Sequence, residues 1–166
     1  MANAIPATPA DGNVEVVVAT VAAGAVPTLA ELTAAVDISC YLTSDGFNFT
    51  QDQATITDER LCSTETFGLP GRKSSTLTLT GIDNTNSALE TEYNDFIDAL
   101  PEGADRVVVY RSGLPFDTAF AAAQTVRMIP IKVGATTQLP PEANSVLRAT
   151  VNTFVSGPSN LVTLAA

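Results

Sequence analysis

Apolar positions along this chain recur mostly with a period of two, the spacing of half-buried strands. Val14–Thr20 and Arg106–Arg111 read as strands with nearly continuous apolar character, and Asp37–Leu42 as another, closed by the turn signal Ser44-Asp45-Gly46. Phe47 and Phe49 then alternate with Asn48 and Thr50, and in Ser75–Ile82 Leu77 and Leu79 oppose Thr76, Thr78 and Thr80. Gln124–Val133 sets Arg127, Ile129, Ile131 and Val133 against Val126, Met128, Pro130 and Lys132. Pro130 cannot donate to a ladder, so this strand is expected at a sheet edge or to carry a bulge. Ser145–Val155 is the last long strand, with Leu147, Ala149, Val151 and Val155 on one face and Arg148, Thr150 and Asn152 on the other.

One stretch switches to helical spacing. Leu89, Tyr93, Phe96, Ile97 and Leu100 form an apolar stripe that predicts a helix over 87–100, packed on the sheet through that face. Ser87 and Glu90 have capping-box spacing, Pro101-Glu102-Gly103 stops the run, and Glu92, Asp95 and Asp98 read as a solvated face. Thr28–Ala35 is either a short helical turn or a surface crossing.

Between Gln51 and Ser75 the alternation loosens. Thr55–Leu61 keeps some strand character, but Gly68-Leu69-Pro70-Gly71-Arg72-Lys73 is turn chemistry, so 51–75 is expected to be a long loop. Ile56, Leu61, Phe67 and Leu69 would otherwise be apolar side chains given to solvent. Together with Arg72 and Lys73 they make the loop a surface for another chain. Phe116–Gln124 is sparse and Ala-rich, a short helix or a loop. Residues 1–13 carry no periodicity and read as a flexible N-terminal arm. The whole predicts a mainly β (α+β) fold: one domain over 14–166, an antiparallel β-sandwich or barrel of about seven or eight strands with one flanking amphipathic helix.

Composition narrows the chemistry. The 166 residues include no histidine, which removes the commonest proton shuttle and metal ligand. No catalytic constellation, metal site or cofactor motif is expected. The adjacent acids Asp58 and Glu59 are a remote candidate pair for a hydrolase, read instead as solvated. Cys40 and Cys62 are expected as reduced, buried small hydrophobes. Val16–Val26 is too short for a membrane helix, and no secretory signal is read at the N-terminus, so no membrane partner is expected.

Charge is segregated. Residues 1–59 hold eight acids and no base, residues 106–166 carry an excess of three bases, and the net charge is −10. Such a chain grips phosphates poorly. The asymmetry is what head-to-tail contact between identical copies would use, or else a solvated surface that keeps the domain soluble.

The chain resembles the tail tube proteins, or major tail proteins, of long-tailed bacteriophages, most closely those of phages infecting actinobacteria. The resemblance is carried by DISCYL (Asp37–Leu42), ATITDERLCSTETFGLPGRKS (Ala54–Ser74), DALPEGADRVVVYRSG (Asp98–Gly113), MIPIKVGATTQLPPEANSV (Met128–Val146) and VNTFVSG (Val151–Gly157). Ser112, after the strand-ending Arg111, departs from the family's basic residue there. The resemblance implies hexameric rings in which strands of each subunit close a continuous barrel, stacked into a tube that conducts phage DNA without binding it specifically. It implies tape-measure, tail-initiator and tail-terminator proteins as partners, the virion as location, and assembly in the host bacterial cytoplasm. An acidic lumen would repel phosphates, and Asp45, Asp52 and Asp58 are its candidates because they lie on or beside strands. The alternative is a capsid decoration or host-attachment binding module with a similar sandwich.

Overall fold

The computed structural model describes residues 5–21 and 25–165. Its elements are β1 (Val14–Ala19), α1 (Leu29–Thr33), β2 (Val36–Asp37), β3 (Leu42–Asp58), β4 (Phe67–Ile82), α2 (Asp95–Asp98), β5 (Asp105–Ser112), β6 (Thr125–Gln138), β7 (Arg148–Val155) and β8 (Asn160–Thr163). All eight strands join one antiparallel sheet in the order β2-β1-β5-β6-β7-β4-β3, with β8 beside β6. The sheet curls into a half-barrel. Phe47 of β3 stacks on Tyr110 of β5 at 4.8 Å between ring centroids, although the two strands stand four places apart in the sheet order.

The concave face holds the larger core. Val16 and Val18, Val108, Ile129, Ile131 and Val133, Val151, and Leu77 and Leu79 project into it, and Phe96 and Leu100, on and just after α2, cover it. The convex face is covered only on one side, where Val17, Val107, Val109, Val126 and Met128 meet Leu32 of α1 and Leu164. Strands β1 and β5 are therefore buried on both faces, which explains their continuous valine runs. Over β4 and β7 the convex face is bare and polar, with Thr80 and Thr150 hydrogen-bonded through their hydroxyls at 3.0 Å.

Several expectations are corrected. The 51–75 segment is not a loop: β3 and β4 run through it as paired strands, leaving only 59–66 as a connection. Its glycines and proline are absorbed because Gly71 and Arg72 form a bulge opposite Ala54, where a Cβ on Gly71 would lie 2.8 Å from the Ala54 carbonyl oxygen. Pro70 is tolerated because this part of β4 has no partner on its second side.

The predicted helix over 87–100 shrinks to the single turn α2, with side-chain hydrogen bonds tying 84–94 into an irregular segment and taking the Tyr93 carbonyl a helix would have used. Asn94 Oδ1 accepts from Asn84 N–H, Asn84 Nδ2 donates to the Tyr93 carbonyl, and Glu90 takes the amide of Asn86 instead of that of Ser87. Of the expected packing face, Phe96 and Leu100 are buried and Ile97 is half-buried, but Leu89 and Tyr93 are each 52% exposed. The structure instead holds a capping box at Thr28 and Glu31, opening α1.

Asp37–Leu42 is not one strand. Val36–Asp37 pairs with β1, Ile38–Tyr41 turn, and Leu42 opens β3. Strand β6 lies inside the sheet, not at its edge, and Pro130 sits where its flank changes from β7 to β8. There its carbonyl accepts from Ser156 N–H at 2.9 Å, so the missing N–H faces the break. Cys40 and Cys62 are free and exposed rather than buried. The first four residues of the expected arm lie outside the described residues. Residues 5–13 are largely exposed and irregular, tied down where Gly12 and Asn13 carbonyls accept from Phe116 and Gly113.

Candidate assembly interface

The sheet ends in a cantilevered ribbon. Strand β4 pairs with β7 only over Leu77–Ile82, and β3 pairs only with β4, so Gln51–Asp58 and Phe67–Ser75 stand clear of the body with both outer edges unpaired. At ~3.3 Å per residue the ribbon projects roughly 26 Å. Where it peels away, a cleft of about 520 Å³ opens between Lys73–Ser75 and Ser156–Asn160, spanned by Gln51, which donates to Ser159 Oγ at 3.2 Å.

Register assigns the ribbon's faces. Ile56 stands opposite Leu69 and Asp58 opposite Phe67, so Ala54, Ile56, Asp58, Phe67 and Leu69 share one face, while Gln53, Thr55, Thr57, Pro70 and Lys73 share the other. Ile56, Phe67 and Leu69 are 55%, 51% and 52% exposed, and Leu61 at the tip is fully exposed. Three expected contact residues, Ile56, Phe67 and Leu69, are thus brought together as an apolar stripe, with Leu61 in the connection beyond it. Arg72 and Lys73 are exposed near its base, and neither joins an ion pair among the described residues.

The three acids are not clustered. Asp45 is exposed in the irregular stretch between Leu42 and Phe47, Asp52 is exposed opposite Ser74, and Asp58 is engaged by Arg60 at 2.8 Å. Asp58 thus has a cationic partner, while Glu59 beside it is exposed.

Pattern reading missed the centre that fixes the loop after β5. Arg111, 1% exposed, pairs with Glu15, its cross-strand partner, at 2.5 Å, donates to the Pro115 carbonyl at 3.0 Å and to Gln124 Oε1 at 3.3 Å, and lies over the Phe120 ring. Phe116–Gln124 is therefore an irregular loop held from beneath by one guanidinium. Burial pushes the Glu15 carboxyl up to about 7, against the pull of Arg111 and with some help from Asp37. The only sequence signal was a charge alternating into each of two valine-rich strands.

Also missed was the opposite end of the sheet. Burial raises the Asp83 carboxyl, but donors on Thr85 and Gln138 outweigh it and hold the group below the usual carboxylate range. Asp83 N–H in turn donates to the Leu147 carbonyl at 3.0 Å, joining segments 83–94 and 139–147.

Among the described residues no three acids or cysteines gather to hold a metal ion, and no helix is long and apolar enough to cross a membrane. A curled antiparallel sheet with an unpaired ribbon that exposes apolar side chains on one face defines a β module with a free, partly apolar surface. The chain belongs to the phage tail tube protein family, whose model matches residues 1–166. It is similar in fold to a chain in the cryo-EM structure of the anti-feeding prophage baseplate, 6-fold symmetrised: 12% identity, TM-score 0.55, covering 98% of this chain and 99% of that one. No curated protein matches the sequence significantly. The protein is a phage tail structural subunit, and family membership selects this reading over the capsid decoration or host-attachment module.

Proposed function

We propose that the protein forms hexameric rings that stack into a tail tube and conduct DNA during ejection. The observation that carries this is the ribbon: strands with unpaired edges and an exposed apolar stripe, attached to a well-packed body. Free edges of this length invite pairing with another chain, and closure into a ring removes them. The sixfold assembly containing the fold neighbour supports the same symmetry. Ile56, Leu61, Phe67, Leu69, Arg72 and Lys73 are the subunit and ring contacts, and Asp45 and Asp52 are the lumen acids with free carboxylates, Asp58 being partly neutralised by Arg60. An acidic wall repels phosphates, so DNA slides without sticking. Tape-measure, initiator and terminator proteins are the further partners, and assembly takes place in the host cytoplasm before incorporation into the virion. Negative-stain electron microscopy of the purified protein, beside its mass in solution, tests this: rings or hollow tubes with sixfold end views are expected. A uniformly small particle at every concentration overturns it.

A further inference from the structure

The cleft at the root of the ribbon has two fixed walls. Strands β7 and β8 lie end to end along β6, with Val155 opposite Ile131 and Asn160 opposite Met128. Five steps of chain from Val155 to Asn160 therefore answer three steps on β6, and the two extra residues bow Ser156–Ser159 outward as a bulge. Its root is pinned: Ser156 N–H donates to the Pro130 carbonyl at 2.9 Å, and a Cβ on Gly157 would lie 3.3 Å from the Pro130 ring. The facing wall is β4 just after it leaves β7. Lys73 and Ser75 stand opposite Gln53 and Gln51, on the face that carries Leu77 and Phe49 farther along, while Ser74 and Asp52 take the opposite face.

Hydrogen-bond polarity decides what this space can hold. Gln51 Nε2 donates to Ser75 Oγ at 3.1 Å and to Ser159 Oγ at 3.2 Å, one hydroxyl from each wall. Each hydroxyl has thereby accepted, and its own O–H remains to donate into the cleft. Lys73 adds an ammonium that joins no ion pair among the described residues, and no acid lines the cleft. Donors without a carboxylate among them select a ligand that only accepts, and the cationic member makes it an anion. Val155 and Pro158 form an apolar flank, and the volume of about 520 Å³ leaves room beside an oxyanion for an organic substituent. The chain's net negative charge acts here mainly through solvent, where it is screened within about 8 Å at physiological salt.

We propose that the cleft binds a phosphate group, free or as the monoester of a small molecule, held by Lys73, Ser75 and Ser159, with Gln51 orienting the two hydroxyls. The site does not depend on the tube reading.

Equilibrium dialysis of the full chain against labelled inorganic phosphate, at constant ionic strength set with sodium chloride, tests it. Saturable binding of one phosphate per chain is expected. Lys73→Gln, and separately Ser75→Ala with Ser159→Ala, are each expected to weaken it on the order of tenfold or more. Lys132→Gln removes an equal charge outside the cleft and is expected to bind as the wild type does. Circular dichroism and thermal unfolding establish that each variant is folded. Phenyl phosphate in a parallel arm separates the two sources: tighter binding than inorganic phosphate identifies a monoester whose body lies on Val155 and Pro158, and equal or weaker binding identifies the free ion. Absent or unsaturable phosphate binding, a folded Lys73→Gln or serine variant that binds undiminished, or an equal loss in Lys132→Gln overturns the site.

Discussion

Arg111 joins two strands and a loop through one planar group: Glu15 on the neighbouring strand, the Pro115 carbonyl and Gln124 in the loop, and the Phe120 ring above. A buried charge is stable only with such partners, and removing one side leaves the other uncompensated. Arg111→Met is therefore expected to cost about 3–5 kcal/mol above pH 8, where the wild-type Glu15 carboxylate is ionised, read by urea unfolding. The cost should be smaller at pH 5, because Glu15 is neutral there with or without its counter-ion. Glu15 itself gives the wild type a pH dependence. Its folded pKa, about 7, lies above the ordinary 4.5, so the folded state holds the proton more tightly. Its contribution is fully present below pH 4.5 and is lost as pH rises to about 7, a change on the order of 3 kcal/mol. Glu15→Gln, which cannot titrate, should flatten unfolding free energy between pH 5 and 8. A slope unchanged from wild type would refute this assignment.

At the scale of elements, period-two strands were legible in the sequence wherever one face is covered: β4 beyond Ser75 kept the expected partition of leucine against threonine, and β7 kept Ala149 and Val151 against Thr150 and Asn152, although it opens only at Arg148 and leaves Leu147, expected on the covered face, exposed. The valine runs of β1 and β5 announced burial but not the two cores that sandwich them, since a continuous run carries no face. The ribbon was illegible for the opposite reason. Outside the body neither of its faces is buried, so no hydrophobic period is imposed and Gly68, Pro70 and Gly71 dominate the pattern, while a bulge absorbs their cost. The apolar residues of the candidate contact were readable as a set, but their common face depends on register and is not a sequence property. In 87–100 helical spacing was present, yet Asn84 and Asn94 tie the segment before Asp95 into an irregular run and only the last turn is helical. That turn is critical for packing. Phe96 sits over Gly81, where an added Cβ would lie 2.9 Å from its ring and 3.0 Å from the Tyr41 carbonyl oxygen. Gly81→Ala is expected to destabilise by about 1–3 kcal/mol and Phe96→Ala by about 3–5 kcal/mol, both measured by chemical denaturation.

For the whole molecule, the division between body and ribbon separates folding from assembly. Both hydrophobic cores lie in the body, and no residue of the ribbon between Ala54 and Gly71 belongs to either. Its internal ladder stabilises only itself, because β4 leaves β7 at Leu77. Deleting Ala54–Arg72 and joining the shortened strands by a two-residue Asn-Gly turn removes the apolar stripe and most of both edges while keeping the pairs from Phe47 with Leu79 to Gln53 with Lys73. The truncated chain is expected to unfold cooperatively within a few degrees of the wild-type midpoint, because surface segments without core contacts contribute little to stability. It is also expected to remain a monomer under conditions where the full chain assembles, read by sedimentation. Deleting β4's share alone would be a poorer test: Ala54–Asp58 would lose their partners and present a new unpaired edge, so loss of assembly would be confounded with aggregation. Assembly of the symmetric truncation into normal tubes would place the essential contacts in the body. A monomeric truncation that folds normally would place them in the ribbon, where the unpaired edges and the uncovered apolar side chains coincide.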